Sequence, residues 1–425
     1  MLKRNLSYTL SFLFAIIVLS LGYFVPRSNF YLTIGLFTTL FILALVLAKQ
    51  MSFYNLLVLG FVSRFTLLFS FPELSDDFYR FVWDGLLTIK GINPYTYVPA
   101  DIVHIHPLLE QIYPKLNSPN YYSVYPAFNQ YIYAVSVFLG AESLRGSVIV
   151  MKLLMLLSEI GSAYFLIRLF KKYQLHEKWA LFYILNPVVI LEFCDNLHFE
   201  GFMLTALLAS FYFLGQKKII YAGASLSVAI CLKLMPLLFI PFYWKYLGLK
   251  KGLIFTLITI SISIVLFLPF EVWKVGAYQN ILESIQLYFS LFEFNSSLYR
   301  LWVFFDFVGL KLYLIMILIF LIFKQKSKDF ISLVSTVGWV QFVYFVFSQS
   351  VHPWYVLPIL PLLLFTKDIT VVIWSFLILL TYNTYQTEVY EQSDVLIFVE
   401  YALLCLAFVF RERITRLFIA DINPE

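Results

Sequence analysis

Residues 29–48, Asn-Phe-Tyr-Leu-Thr-Ile-Gly-Leu-Phe-Thr-Thr-Leu-Phe-Ile-Leu-Ala-Leu-Val-Leu-Ala, form an apolar run without a single charged side chain. A helix of about 20 such residues can cross the ~30 Å hydrocarbon core of a bilayer. Comparable runs recur along the chain, of which 61% is hydrophobic and only 13% charged, about half the charged share of a soluble protein. Because a helix satisfies its own backbone polar groups inside lipid, the sequence predicts an all-α, polytopic integral membrane protein.

We predict one transmembrane domain over residues 1–425 with about 13–14 membrane-spanning helices. The first apolar run follows Met1 to Arg4 and could pass for a signal peptide. No small-residue cleavage site follows it, so we interpret it as an uncleaved span. The predicted spans are 6–25, 29–48, 52–71, 148–170, 178–194, 200–216, 219–233, 235–246, 252–270, 306–323, 330–348, 354–366, 369–386 and 394–410.

Basic residues set the predicted orientation, because they are retained on the cytoplasmic side of a membrane. With the N-terminus inside, one face receives Lys3/Arg4, Lys49, Lys171/Lys172, Lys217/Lys218, Lys245/Lys250/Lys251, Lys324/Lys326/Lys328, Lys367 and Arg411/Arg413/Arg416. The other face receives two large extracytoplasmic loops, 72–146 and 271–305, whose mixed composition favours interfacial or re-entrant helices. The stretch 122–140 could be a true span instead, but the extra crossing would place Lys171 and Lys172 on the extracytoplasmic side. The pattern predicts a multi-pass protein of the inner (cytoplasmic) membrane.

Composition also excludes several classes of protein. The net charge is +5, but there is no polybasic tail and no basic–aromatic stripe, so nucleic acid is not an expected partner. The three cysteines, Cys194, Cys231 and Cys405, are scattered and predict neither a disulfide framework nor a metal site.

The segment Ser75-Asp76-Asp77-Phe78-Tyr79-Arg80-Phe81-Val82-Trp83-Asp84-Gly85 begins where the third predicted span leaves the membrane. Adjacent carboxylates at such a boundary repel each other, and partial burial raises their pKa values, so that one can act as a general base. Arg80 would share a helical face with Asp77 and could hold a carboxylate or a phosphate, and Asp84 follows one turn later. The alternative is a helix N-cap with acidic residues in the first turn. Asp76 and Asp77 could also hold a divalent cation, although nothing in the sequence requires one.

This segment, with Gly91-Ile92-Asn93-Pro94-Tyr95, resembles the first-loop motif of bacterial polyprenol-phosphate-mannose-dependent mannosyltransferases in the GT-C glycosyltransferase superfamily. Further segments resemble the same group in the same order, over residues 75 to about 360. They are Tyr125-Pro126, Asn186-Pro187, Asn196-Leu197-His198-Phe199-Glu200-Gly201, Leu232-Lys233-Leu234-Met235-Pro236, Phe294-Asn295-Ser296-Ser297-Leu298-Tyr299 and His352-Pro353-Trp354-Tyr355. Each is weak alone, and together they are specific for the superfamily but not for the sugar or the acceptor.

The resemblance implies inverting transfer of a hexose, mannose in that group, from a polyprenyl-phosphate donor to an extracytoplasmic glycan or lipid acceptor. An aspartate of the first loop is the implied catalytic base. In that superfamily the base typically belongs to an acidic pair shortly before an Arg-aromatic sequence, which makes Asp77 the first choice and Asp76 the second. Phe81 stands where the group more often has Tyr, a conservative departure.

Other predicted site residues carry charge or aromatic rings near the outer rim. We predict that Lys233 binds the donor phosphate, since a charge so deep between two spans indicates function, although it could snorkel to the interface. Arg300, His352 as an imidazolium, and Arg80 are further phosphate candidates. Asp84, His198, Glu200, Trp354 and Tyr355 are candidates for binding sugar or acceptor, the alternatives being a polar turn and an aromatic belt.

Two other functions use similar architecture. A transporter or flippase for a lipid-linked sugar also needs many spans, but transporters usually show internal repeats and charges near the midplane. No internal repeat is evident here, and the prominent charges lie at the outer rim. A lipid-linked glycan ligase would differ in taking a whole oligosaccharide from a diphosphate lipid.

Overall fold

The structure of the protein, a computed structural model, describes residues 2–304, 310–387 and 390–422. It is 77% helical, and the described residues contain no β-strand. The helices are α1 Leu2–Tyr23, α2 Phe30–Gln50, α3 Phe53–Thr66, α4 Asp77–Ile89, α5 Pro107–Ile112, α6 Ala127–Leu139, α7 Leu144–Lys172, α8 Leu181–Ile184, α9 Pro187–Val189, α10 Glu200–Gly215, α11 Ile219–Leu232, α12 Ile240–Leu247, α13 Leu249–Trp273, α14 Ala277–Leu291, α15 Ser297–Phe304, α16 Leu310–Lys324, α17 Phe330–Val346, α18 Pro353–Val356, α19 Ile359–Leu363, α20 Thr370–Leu377, α21 Asp394–Val409 and α22 Arg411–Ile422. Residues 305–309, where the second large loop ends and the predicted span 306–323 begins, lie outside the described residues.

Four of the described helices are long and apolar enough to cross a membrane, or five if a pair bent by 110° counts as one span. The four are α1, α2, α7 and α13, and the bent pair is Pro187–Asp195 with Glu200–Gly215. α13 exposes Leu257, Ile264 and Val265 on its outer surface, and hydrocarbon is the solvent that suits so large an apolar face. The predicted all-α, polytopic membrane class is therefore confirmed, whereas the number of crossings stays a prediction.

Several predicted spans are interrupted helices. Residues 178–194 break at Asn186–Pro187, where the Asn186 side chain accepts hydrogen bonds from the N–H groups of Val188 and Val189. A π-helix, Ile190–Asp195, follows. Proline lacks a backbone donor and clashes with the preceding turn, so it kinks or interrupts a helix. The predicted span 354–366 is likewise divided, because α18 ends at Val356 and α19 begins at Ile359 after Pro358.

Segments predicted to lie outside meet at one end of the bundle, and those predicted inside meet at the other. At the outer end, hydrogen bonds join Arg27 to Asp76, Leu74 to Asn196, Asn129 to Leu232, Phe294 to Val351, and Asn295 to Gln392. At the inner end, contacts join Ser7 to Gln50, Lys172 to Gly215, Lys245 to Phe323, and Asp368 to Arg411. This arrangement agrees with the two-sided pattern of basic residues.

The short predicted crossing at 235–246 is a 3-10 turn, Met235–Phe239, followed by α12. Lys233 at its start pairs with Glu200 at the outer end, and Lys245 near its end donates to the carbonyl of Phe323 at the inner end. The chain therefore returns between the two ends through this short segment.

The first loop is packed against the bundle rather than spread over its surface. In α4 nearly every residue from Phe78 to Leu87 is buried, and the helix packs along α6. Gly85 permits this contact, because a Cβ there would stand 2.5 Å from the carbonyl oxygen of Tyr133. The start of α6 bonds to Leu232, and Glu142 just beyond its end pairs with Lys90 at 2.7 Å, so both ends of the 122–140 stretch contact outer segments.

Candidate active site

Asp76 occupies the N-cap position of α4, but its side chain makes no capping hydrogen bond. Its carboxylate instead pairs with Arg27, in the turn between α1 and α2, with 2.9 Å between Nη1 and Oδ2. Arg27 also donates to the Tyr390 hydroxyl at 3.2 Å and lies over the ring of Tyr385 at 5.4 Å. The N-cap alternative therefore does not describe the Asp76 side chain, which is held by a cation.

Asp77 begins α4 one residue later, and its surroundings differ from those of Asp76. Its Oδ1 accepts a hydrogen bond of 2.7 Å from the amide of Asn117, while Oδ2 has no hydrogen bond within the described part of the chain. Burial raises the pKa of Asp77 to about 6. The hydrogen bond from Asn117 opposes that rise, the Glu200 carboxylate adds to it, and the Lys233 ammonium lowers it. Asp77 therefore lies within electrostatic reach of both Glu200 and Lys233, and a carboxylate with such a pKa suits general base catalysis near neutral pH.

Lys233 follows the last residue of α11 and points toward the same region. Its ammonium pairs with the carboxylate of Glu200, the first residue of α10, and lies 4.2 Å from the ring centroid of Tyr355. The Glu200 side chain is 7% exposed, whereas that of Lys233 is 38% exposed. A ligand can therefore reach the ammonium without first unpacking the bundle.

Four rings form a column beside Lys233. His198 and Trp354 stack with 3.5 Å between their ring centroids, Trp354 and His352 with 4.5 Å, and His352 and Phe294 with 4.4 Å. The planes of each pair lie within 18° of each other. The column joins the outer turn before α10 to the start of α18 and to the second large loop.

Glu192 sets the orientation of His198 at the end of this column. Nδ1 of His198 lies 2.7 Å from the Glu192 carboxylate and 3.0 Å from its carbonyl oxygen, and Tyr382 donates its hydroxyl to the same carboxylate. The carbonyl oxygen of Glu192 can only accept a hydrogen bond, which favours the tautomer with the proton on Nδ1 and leaves Nε2 as an acceptor. Nε2 is buried without a hydrogen-bond partner among the described residues.

Both histidines of the column have lowered pKa values. Burial, together with the Lys233 charge, lowers the pKa of His352 to about 3. Burial also brings the pKa of His198 well below its ordinary value, with His352 and Lys233 acting in the same direction. The expected imidazolium at His352 is therefore not the form that this structure favours, because a cation already stands beside it.

Arg80 and Asp84 are brought together with each other, inside the first loop. Nε of Arg80 lies 2.9 Å from Oδ1 of Asp84, and both side chains are almost fully buried. Nη1 of Arg80 donates to the carbonyl oxygens of Ser118 and Tyr121 at 3.0 Å each. The pair connects α4 to residues 118–123, the segment that directly follows Asn117.

Arg300 lies in another cluster. It forms ion pairs with Glu293 in the second large loop and with Asp394 at the start of α21, and its side chain is 40% exposed. These partners differ from those of Lys233, which contacts Glu200 and Tyr355. The sequence-predicted phosphate residues are therefore distributed over three places: Lys233 with His352, Arg80 with Asp84, and Arg300 with Glu293.

The structure adds residues that our sequence reasoning did not single out. Arg27, Asn117 and Glu192 contact predicted site residues directly, and Tyr382 contacts Glu192. Lys152 pairs with Asp195 at 2.8 Å in a buried contact. Glu192 and Lys152 are charges inside predicted spans, which is a recognised signal of function or pairing. Arg27 is a basic residue on the acidic face. Asn117 has no signal in the sequence, since only the folding of the loop brings it to Asp77.

The described residues contain no group of three or more His, Cys, Asp or Glu side chains placed to hold a metal ion. Asp76, one of the two predicted oxygen ligands, is engaged by Arg27. A cation between Asp76 and Asp77 therefore has no assembled set of protein ligands in this structure.

A comparison with protein families gives one match. The family model described as "Alpha-(1->6)-mannopyranosyltransferase, N-terminal domain" matches residues 16–247, just over half of the chain. No curated protein matches the chain. The matched range includes Asp76, Asp77, His198, Glu200 and Lys233, and it ends before Arg300 and the segment from His352 to Tyr355.

Proposed function

The chain belongs to the MptA_B family of alpha-(1->6)-mannopyranosyltransferases, and on that premise we propose that it transfers mannose from a polyprenyl-phosphate donor to a glycan or lipid acceptor. The transfer inverts the anomeric carbon and takes place on the extracytoplasmic face of the inner membrane. The observation that carries the proposal is the placing of Asp77, with its pKa of about 6, within electrostatic reach of Lys233. Membership in a transferase family favours this function over the transporter alternative.

Asp77 is the catalytic base in this proposal, and Asp76 is not. Arg27 engages the Asp76 carboxylate in an ion pair, so that this side chain is already held by a cation. Asp77 has one carboxylate oxygen without a hydrogen bond among the described residues and a pKa close to the working pH. The second of the two acidic residues is therefore the better proton acceptor.

The reaction is a single displacement. Asp77 takes the proton of the acceptor hydroxyl as that oxygen forms a bond to the anomeric carbon of mannose. The bond from this carbon to the phosphate oxygen breaks, and its electron pair leaves with polyprenyl phosphate. Lys233 stabilises the charge that develops on the leaving group. The family description names an α-linkage. Since the displacement inverts the anomeric carbon, the mannose must be β-linked to phosphate in the donor.

The other residues bind the sugar and the donor in this scheme. Glu200, released in part from Lys233 when phosphate arrives, accepts a sugar hydroxyl. Nε2 of His198 accepts another, and Trp354 and Tyr355 supply aromatic surface for the sugar or the first isoprene units. The exposed apolar perimeter of the bundle lets the isoprenoid chain remain in the bilayer while its phosphate reaches Lys233.

The proposal is tested with the purified full-length protein, polyprenyl-phosphate mannose and an oligomannoside acceptor, by measuring release of polyprenyl phosphate and formation of the new glycosidic bond. D77N is expected to lower the rate by about 10²–10⁴-fold, the usual contribution of a general base. D76N is expected to retain much more activity, and K233A to raise the KM for the donor most of all.

Asp101 provides the matched control, because it is an exposed acid in the same loop. D101N should transfer mannose at the wild-type rate. Near-normal transfer by D77N, or loss of activity in D76N alone, would contradict the assignment of the base. If the active wild-type protein transfers no mannose from polyprenyl-phosphate mannose, the proposed identity of the donor is wrong.

A further inference from the structure

An apolar groove lies on the perimeter of the bundle, away from the candidate active site. It opens to the outside of the protein, and its lining surface is mainly apolar. Its walls come from α2, from α8 with the residues after it, and from α20. The lining residues are Phe41, Ala44, Leu45, Ala48, Lys49, Lys178, Leu181, Phe182, Leu185, Asn186, Pro187 and Val372.

The groove follows one face of α2. Phe41, Ala44, Leu45 and Ala48 are spaced three to four residues apart and therefore lie on the same side of the helix. The two alanines leave room that larger side chains would fill. From Phe41 to Lys49 this face extends over about 12 Å, at 1.5 Å per residue, which suits a length of extended hydrocarbon chain.

The break at Asn186–Pro187 forms the opposite wall. α8 ends at Ile184, and the chain changes direction before α9 begins at Pro187. The amide of Asn186 donates to the hydroxyl of Ser375 at 2.8 Å, which fixes the break against α20. Leu185, Asn186 and Pro187, at this interruption, line the groove beside α2.

Two lysines stand at one end of the groove. Lys49 is the next-to-last residue of α2, and Lys178 lies in the turn before α8. Both belong to the inner end of the bundle, since Gln50 bonds to Ser7 and Glu177 pairs with Lys171. An apolar groove with two cations at one end is complementary in charge and shape to an anionic lipid.

We propose that this groove binds one anionic phospholipid of the adjacent leaflet, with an acyl chain along α2 and the headgroup phosphate between Lys49 and Lys178. Basic residues at the cytoplasmic membrane surface attract anionic lipids, each adding about 1 kcal/mol. The groove opens at the end of the bundle opposite to Asp77 and Lys233, so the proposed lipid is not the sugar donor. The inference does not depend on the proposed transferase reaction.

The test is native mass spectrometry of the full-length protein in detergent with added phosphatidylglycerol or phosphatidylcholine of identical acyl chains. The wild-type protein is expected to retain phosphatidylglycerol preferentially. The double variant K49Q/K178Q should lose about tenfold or more of that binding. A48W, which fills the apolar channel but leaves both charges, should weaken binding of the same lipid.

The control is K250Q/K251Q, which removes two exposed lysines from the inner end of α13, outside the groove. It should bind phosphatidylglycerol as the wild type does. Equal retention of the two lipids by the wild type would overturn the proposal. So would an equal loss in the control, or a preference that survives K49Q/K178Q.

Discussion

Asp76 and Asp77 are neighbours in the chain, yet their surroundings give them different chemistry. Arg27 engages the first, whereas burial, Glu200 and a single amide donor surround the second. The ion pair with Arg27 favours a structural role for Asp76. The raised pKa of Asp77 favours a proton-accepting role for that residue.

The pH dependence of transfer is expected to report the pKa of Asp77. Since the base must be deprotonated, kcat/KM should fall on the acidic side with a midpoint near pH 6, the pKa to which Asp77 is raised. N117A removes a hydrogen bond that stabilises the carboxylate, so its midpoint should move to higher pH. E200Q removes a negative charge that raises the pKa, so its midpoint should move to lower pH.

Rates for these variants are measured from pH 4.5 to 8 with D101N as the control. If the wild-type rate falls with a midpoint near pH 4, the range of an ordinary aspartate, Asp77 with a raised pKa is not the base that limits transfer. Shifts of N117A and E200Q in the same direction would also contradict it.

For individual residues, the sequence predicted which side chains belong to the candidate site better than it predicted which residues they contact. Asp77, Glu200, Lys233 and the His198, His352 and Trp354 rings were all singled out, and the structure brings them close together. Arg80 and Asp84 were expected in the site, but they pair inside the first loop. Partners such as Asn117 and Arg27 come from distant parts of the chain, and a single sequence carries no record of such contacts.

Interrupted helices shape the site at the scale of secondary structure. The π-helix Ile190–Asp195 carries Glu192, and a 3-10 helix, Ile378–Gln386, carries Tyr382 and Tyr385. With three residues per turn, Tyr382 and Tyr385 lie on one face of that helix. They contact Glu192 and Arg27, respectively. Such elements bring polar side chains into an apolar bundle at defined positions.

Helix packing is also stabilised by a buried ion pair between α3 and α7. Nη2 of Arg64 lies 3.1 Å from the carboxylate of Glu159, and both side chains are almost fully buried. The Tyr183 hydroxyl donates to Glu159 at 2.6 Å, and Arg64 donates to the carbonyl oxygen of Ile184 at 2.6 Å. The sequence alone indicates no role for Arg64, because its partner lies 95 residues further along the chain.

R64M is expected to destabilise the protein by about 3–5 kcal/mol, because it leaves the Glu159 carboxylate buried without its cation. The double variant R64M/E159M removes both charges and should recover much of that loss. Thermal unfolding in detergent measures the difference. A double variant less stable than R64M would contradict the pairing.

At the scale of the whole molecule, the arrangement follows from hydropathy and the distribution of charge. Both signals are local in the sequence, so the all-α membrane class and the grouping of segments at two ends could be predicted from residues alone. The breaks within spans could be anticipated only where proline marks them, as at Pro187. Exact helix bounds depend on tertiary packing, which is why several predicted spans are divided into shorter helices.

The candidate site lies where four distant parts of the chain meet. The turn before α2 supplies Arg27, the first loop Asp77, the α11 end Lys233 and the start of α18 the aromatic residues. The proposed reaction requires a sugar phosphate bound there to have the bilayer on one side and the outer loops on the other, so that the protein can hold a lipid carrier and a polar acceptor at the same time.

The most direct test is a structure of the inactive D77N protein bound to polyprenyl-phosphate mannose. The account predicts a phosphate oxygen about 3 Å from Nζ of Lys233, with the anomeric carbon facing residue 77 and the isoprenoid chain leaving toward the bilayer. A phosphate held instead by Arg80, by Arg300 or at the inner end of the bundle, with residue 77 away from the sugar, would contradict it.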